Sequence, residues 1–244
     1  MLKYFPSGDS ALIIKVGDQI SVEINQTIRR LLARVEMESI SGITDFIPSY
    51  NELMVCFNPS VTDYRKLVDI IRSLETSIED IHLPPSALKE VPVLYGGKRI
   101  FSEIKSLGEN VLENIGPDLE DVARFNKLSV DEVIQIHSSA TYLVYMLGFT
   151  PGFCYLGGMD SRIAMPRKET PRLKIPEGSV GIADQQTGIY PIESPGGWQL
   201  IGKTPLKLFD PNRKPEFLFE IGDTLRFKPI SEIEYIRLSK EWQR

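Results

Sequence analysis

Four cations in one short stretch, Arg167, Lys168, Arg172 and Lys174 of PRKETPRLK, are the strongest chemical signal in this 244-residue chain. Prolines fix the direction of each strand end, and planar guanidinium groups suit bidentate recognition of carboxylate or phosphate. A solvated basic edge would read the same way. Downstream, GSVGIA (Gly178 to Ala183) and SPGGW (Ser194 to Trp198, with Gly196 and Gly197) bring glycines whose backbone amides can face an anion or can simply permit tight turns. Gln186, Thr187, Tyr190 and Ser194 add amide and hydroxyl groups to this neighbourhood, and Trp198 offers an apolar wall. His137 has two readings. Four residues after Val133 it falls on an apolar helical stripe, as a packed histidine bonded to a carbonyl would; alternatively it faces a groove as proton carrier or phosphate ligand. His82, beside Pro84 and Pro85, reads as an exposed bystander, and Asp184 and Glu193 come nearest to a pair of catalytic carboxylates.

Several chemistries are excluded by what these motifs lack. No G-x-x-x-x-G-K-[ST] phosphate loop and no G-x-S-x-G nucleophile elbow occurs. No CxxC or HxxxH spacing is present, which argues against zinc. Twenty-eight Lys and Arg against thirty-three Asp and Glu leave a formal charge of −5, no footprint for nucleic acid. No run approaches the roughly 18 apolar residues of a membrane span, and the start MLKYFPSGDS lacks a signal peptide's apolar core, so a cytoplasmic protein is expected. Cys56 and Cys154, without a framework around them, fit a reducing compartment as free thiols.

The elements that must position these groups fall into two parts. Ala11 to Val16 reads as a strand. Ile24, Ile28, Leu31, Leu32 and Val35 then share one helical face, and Ile43 to Phe57 reads as two strands broken at Ser49 to Asn51, with Leu53, Val55 and Phe57 pointing to one side. Ser60 and Asp63 can cap a second helix carrying Leu67, Ile70, Ile71, Leu74 and Ile78. This order predicts a small two-layer α+β domain over residues 1–86, ended by Pro84 and Pro85. Residues 90–244 form the second domain. Val91 to Tyr95 opens it, Lys98 to Asn114 looks like an insertion, and Gly116 to Ala123 starts a helix. Ser129 and Glu132 make a capping box for the helix bearing Val133, Ile136 and His137.

From Tyr142 to Pro205, ten of eighteen glycines and seven of seventeen prolines interrupt short apolar pieces. Dense turns between extended segments predict a compact β unit. Leu206 to Phe209, Phe217 to Glu220, Thr224 to Phe227 and Ile233 to Leu238 continue it as further strands.

At VPVLYGG, GPDLEDVA, LSVDEVIQIH, YLVYMLGFTPGFCYLGG, MPRKETPR, GSVGIADQQTGIYPIESPGGWQLIGKTP and LFDP the sequence resembles the family of 5-oxoprolinase B subunits. That family is also labelled allophanate hydrolase subunit 1 and includes the sporulation kinase A inhibitor. The likeness is strong from Val91 to Ile230 and looser before. It implies an α+β first domain followed by a cyclophilin-like β-barrel, without implying prolyl isomerase activity. It further implies partner subunits C and A, and an ATP-dependent opening of 5-oxoproline to glutamate in which this chain is inactive alone. Where ATP sits, on this subunit, on its partner or between them, and whether Mg2+ accompanies it, stays open. By that analogy His137 would transfer protons, Arg167, Arg172 and Lys203 would meet phosphate charge, and Gln186 and Ser194 would hold the lactam amide, with Thr187, Gly196 and Gly197 lining the same site. The alternative implied role is inhibition of a sensor histidine kinase through surface aromatics such as Phe149 and Phe153. Three departures from the family pattern stand out: the Lys98 to Asn114 insertion, Cys154 where proline is usual, and Asp184 where glycine is common.

Overall fold

A computed structural model describes residues 2–86, 88–96 and 115–242, so the expected insertion at Lys98 to Asn114 lies outside the described residues. The chain divides into two compact units, Met1–Ser86 and Ala87–Arg244.

In the first unit, β1 (Lys3–Ser7) and β2 (Ala11–Lys15) form a hairpin. Helix α1 (Val22–Met37), a second hairpin of β3 (Ile43–Pro48) and β4 (Glu52–Phe57), and helix α2 (Tyr64–Leu74) follow. The antiparallel sheet has the order β1-β2-β4-β3. Alternation along β2 and β4 sends Leu12, Ile14, Leu53, Val55 and Phe57 to one face, where they meet Ile28, Leu31 and Val35 of α1 and Leu67, Ile71 and Leu74 of α2. Burying each of these side chains is worth roughly 1.5–3 kcal/mol before conformational entropy is charged. Strand β1 is not foreseen by its sequence. KYFPS contains Pro6, which cannot donate to a ladder, and the strand is tolerated because it lies at the sheet edge. Asp63 alone caps α2, accepting from the Lys66 amide at 3.0 Å, whereas the Ser60 amide turns back to Asn58.

The second unit holds, in chain order, β5 (Leu88–Tyr95), α3 (Leu119–Phe125), α4 (Val130–Ser139), β6 (Tyr142–Leu147), β7 (Cys154–Gly157), β8 (Arg172–Ile175), β9 (Ser179–Ala183), β10 (Gln186–Ile189), β11 (Ser194–Gly196), β12 (Gln199–Lys203), β13 (Thr224–Pro229) and α5 (Glu232–Trp242). Seven of these strands close a barrel in the order β10-β7-β6-β13-β5-β12-β9. Closure removes the exposed sheet edges. Its one parallel pair joins β5 to β13, and the other neighbours run antiparallel. Val91, Val93, Val144, Leu156, Val180, Ile182, Ile201 and Phe227 belong to its core, with Leu119 and Val122 of α3 and Val133 of α4 packed into the same cluster. The Ser129–Glu132 capping box is formed in both directions. Strands β8 and β11 pair as a separate ribbon with an irregular register between Ser194 and Gly196.

Two expectations for the end of the chain are corrected. Leu206 to Phe209 and Phe217 to Glu220 are not strands; they share a single bridge between Phe209 and Phe217. The Arg213 guanidinium donates to the carbonyls of Lys207, Leu208, Pro215 and Glu216, while the backbone of the two segments bonds from Leu218 N–H to the Leu208 carbonyl and from Asp210 N–H to the Glu216 carbonyl. Ile233 to Leu238 is helical, inside α5. The Ser231 hydroxyl accepts from the Glu234 amide, so the S-x-x-E spacing governs there rather than the β-favouring composition.

Candidate functional site

The cations of PRKETPRLK do not act as one group. Asp118, just before α3, is almost wholly buried and draws two of them in: Arg172 at 2.7 Å and Lys168 at 2.9 Å, both on Oδ1. Its Oδ2 accepts from the Leu200 amide at 2.7 Å, so the carboxylate ties α3 to β8 and β12 instead of capping its own helix. Arg172 also donates to the Trp198 carbonyl at 3.3 Å. The Arg172 charge is thus compensated inside the protein by Asp118, away from the aromatic pocket lining. Lys174 pairs with Glu193 in the open.

Arg167 is different. It is exposed, has no carboxylate within ion-pair distance among the described residues, and lies over the Trp198 ring with its guanidinium carbon 5.9 Å from the centroid. Beside it opens a cavity of about 270 Å³ walled by Phe149, Phe153, Tyr155, Tyr190 and Trp198, with Gly196 and Gly197. Phe153 is the centre of the aromatic set, 5.3 Å from Tyr190 and 5.4 Å from Trp198, both near perpendicular. Such edge-to-face pairs are worth about 0.5–1.5 kcal/mol each beyond burial. Two glycines make the arrangement possible. A Cβ on Gly188 would stand 3.0 Å from both Phe153 and Trp198, and one on Gly196 would stand 2.4 Å from the Tyr190 hydroxyl. Burial pushes the Tyr190 phenol up to about 12, leaving it a proton donor at neutral pH.

Phe149 completes the wall from the β6–β7 turn, which is closed by bonds between Gly148 and Phe153 and between Phe153 and Thr150. Its φ of 67° is a left-handed conformation that costs a bulky side chain roughly 1–2 kcal/mol. Even so, the ring is 59% exposed. Phe153 is 2% exposed and forms the wall behind it.

His137 is removed from this pocket. The ring is fully buried on α4, stacked 4.4 Å from Phe227. Thr187 donates its one hydroxyl proton to the Gly181 carbonyl, so it accepts from Nε2–H of His137 at 2.9 Å. Nδ1 must then accept from the Tyr95 hydroxyl at 2.7 Å. Both ring nitrogens are used, and burial lowers the imidazole to about 3, so it is neutral and internal. His137 and Thr187, expected as proton carrier and ligand group, form a buried relay joining β5, α4, β10 and β9 in this structure.

The remaining candidates scatter. Lys203 lines a separate, larger hollow of about 480 Å³ with Glu177, Lys207, Asp210, Tyr235 and Trp242. Desolvation lowers its ammonium, yet the acidic and basic groups there balance and Lys207 already pairs with Asp210. On charge, the smaller pocket is the better ligand seat. Gln186 opens β10 half-buried, outside the pocket lining. The Ser194 hydroxyl is buried on β11 with no hydrogen-bond partner among the described residues. Asp184 sits at φ 52° in the β9–β10 turn, a glycine-like conformation that aspartate tolerates, and does not line the pocket. Cys154 is a core residue whose thiol burial pushes up, and both cysteines are free. Among the described residues no three His, Cys, Asp or Glu side chains gather to hold a metal, and no helix is long and apolar enough to cross a membrane.

Sequence reasoning misses Asp118, because its partners lie 50 to 82 residues away and no local pattern signals them. It also misses the joint role of Phe149, Phe153, Tyr155 and Tyr190, for which the aromatic density among glycines is the available sign.

The chain is similar in sequence and fold to known proteins. Residues 2–219 match the family described as carboxyltransferase domain, subdomain C and D. The B subunit of a 5-oxoprolinase from Bacillus subtilis (strain 168) is 42% identical over 246 residues, covering 96% of this chain and 95% of the relative. The protein of the same name from Escherichia coli O157:H7 is 37% identical over 92% of this chain and 94% of its own. The solved structure of TTHA0988 superposes with a TM-score of 0.73 at 31% identity, covering 91% of this chain and 39% of that one. With the family match and this nearly full-length similarity in place, the chain belongs to the family of 5-oxoprolinase B subunits.

Proposed function

We propose that this chain is the B subunit of an ATP-dependent 5-oxoprolinase, a cyclic-amide hydrolase that opens 5-oxoproline to glutamate, and that it works only beside partner subunits C and A. The observation that carries the reading is the aromatic pocket itself: among the described residues its lining has one uncompensated cation and no nucleophile, carboxylate or histidine. Such a pocket binds a substrate; it does not by itself activate one.

A lactam carbonyl is a poor electrophile, and phosphorylating its oxygen before water attacks is a sensible use of ATP. The pocket does not fit the nucleotide. Its volume of about 270 Å³ falls below the range of roughly 300–1,000 Å³ that holds drug-sized ligands, and no glycine-rich phosphate loop borders it. The larger hollow offers balanced charge rather than a phosphate cradle. As part of this proposal we place ATP, with any Mg2+, on a partner surface, a reading that the small size of the aromatic pocket supports. That the same fold occupies 39% of the TTHA0988 chain is in keeping with a module that operates alongside further protein.

Reconstitution tests this. Co-expressed with candidate A and C subunits, the chain should support glutamate formation coupled to ATP consumption. Omitting it should abolish turnover, and the chain alone should be inert. Full activity from A and C without this chain would overturn the assignment.

A further inference from the structure

We infer that the aromatic pocket of the second unit seats a small flat ring bearing a single carboxylate, with Arg167 holding the carboxylate and the aromatic walls holding the ring. This rests on the proposed function for the identity of the natural ligand, but the recognition chemistry comes from the pocket. Among the described residues, Arg167 is the only charged side chain that lines it. Its neighbours in sequence, Lys168 and Arg172, are neutralised by Asp118 and Lys174 pairs with Glu193, so of the four cations in this stretch Arg167, beside the cavity, is the one without a carboxylate partner among the described residues. An aromatic cage ordinarily attracts cationic ligands, but here a guanidinium already lies over Trp198 and would repel them. A monoanion with an apolar body is the complementary ligand.

Size and exposure narrow the class further. About 270 Å³ suits a single ring, not a nucleotide or a peptide segment. Phe149 is held at positive φ with more than half its surface in water, although its edge already packs on Phe153 at 5.6 Å and faces Tyr190 at 6.4 Å. A strained, exposed aromatic at a cavity is an outlier that a ligand ring would explain by covering it.

The test uses the reconstituted complex with Arg167→Met, a substitution at an exposed side chain with no ion pair to lose. The KM for 5-oxoproline should rise roughly 10- to 100-fold, the worth of one charge-assisted hydrogen-bonded contact, while the KM for ATP stays unchanged. Pyrrole-2-carboxylate, a flat carboxylated ring that cannot be opened, should compete with substrate in the wild type and weakly in the variant, and Arg167→Lys should recover part of the loss. An active complex in which Arg167→Met leaves the 5-oxoproline KM unchanged overturns the pocket assignment and leaves the proposed function standing. If the wild-type complex does not turn over 5-oxoproline, the function falls and the chain alone decides the pocket. With Trp242→Phe, Trp198 is the sole tryptophan. Its emission should respond to pyrrole-2-carboxylate but not to 2-pyrrolidinone, which lacks the carboxylate, and Arg167→Met should abolish the response. No response to millimolar pyrrole-2-carboxylate overturns the inference.

Discussion

Asp118→Asn should destabilise the second unit by about 3 kcal/mol, the lower end of the 3–5 kcal/mol typical when a buried charge pair loses one partner. The lower end applies because Lys168 and Arg172 keep about a quarter of their side-chain surface in water, 27% and 26%. Removing the anion leaves two cations facing each other across a neutral amide, while the Leu200 amide can still find an acceptor. Arg172→Met should cost less, since Lys168 remains on the same carboxylate. Against a total stability of roughly 5–15 kcal/mol, the Asp118 effect is a large shift in the denaturation midpoint. It should also loosen the pocket, because the segment carrying Lys168 is bonded through its amide to the Gly197 carbonyl at 2.7 Å. A midpoint for Asp118→Asn equal to that of wild type would remove the carboxylate from its place as the link between α3 and the barrel.

Stability should also fall as pH drops, with His137 as a principal cause. In the folded chain burial lowers its imidazole to about 3, from the ordinary 6.5. Between those values the unfolded chain binds a proton that the folded chain refuses, so the unfolded state gains as pH falls. The contribution is fully present above about pH 6.5 and is lost progressively toward pH 3. By about pH 4.5 the loss amounts to a few kcal/mol, on the order of 1.4 kcal/mol for each pH unit below the unfolded value. Denaturant titrations of wild type and His137→Gln across this window measure it. The variant should be less stable at neutral pH, because the Tyr95 and Thr187 hydroxyls lose their partner geometry, but its pH slope should be shallower by about one proton. Identical slopes would mean that His137 is reached by solvent or charged in the fold.

The difference between these two residues shows where the sequence is transparent. Spacing from Val133 puts His137 on the α4 stripe, and the capping box at Ser129 sets that helix's start. What spacing does not decide is whether the imidazole turns inward to a bond or outward to a groove. The answer depends on Tyr95 and Thr187, 42 and 50 residues away. Asp118 is visible in the sequence only as a helix-opening residue for the same reason. The first unit is more legible because its core obeys two local periods, alternation along β4 and helical spacing along α1 and α2. Local reading fails where composition and capping disagree. Ile233 to Leu238 is rich in strand formers, yet Ser231 and Glu234 start a helix there. It fails again from Leu206 to Glu220, where the segments share one bridge and the Arg213 guanidinium takes up several of their carbonyls. The candidate site is legible as a region, the aromatic and glycine-dense stretch with its cations, and not as a roster. Of Arg167, Arg172 and Lys203, only Arg167 reaches the aromatic pocket.

The most direct measurement is the electron density for 5-oxoproline in crystals of the assembled complex. The ring is predicted among Phe153, Tyr190 and Trp198, its carboxylate on the Arg167 guanidinium and its lactam side toward the partner subunits. Density for the substrate in the Lys203 hollow, or on a partner subunit with the aromatic pocket empty, would contradict it.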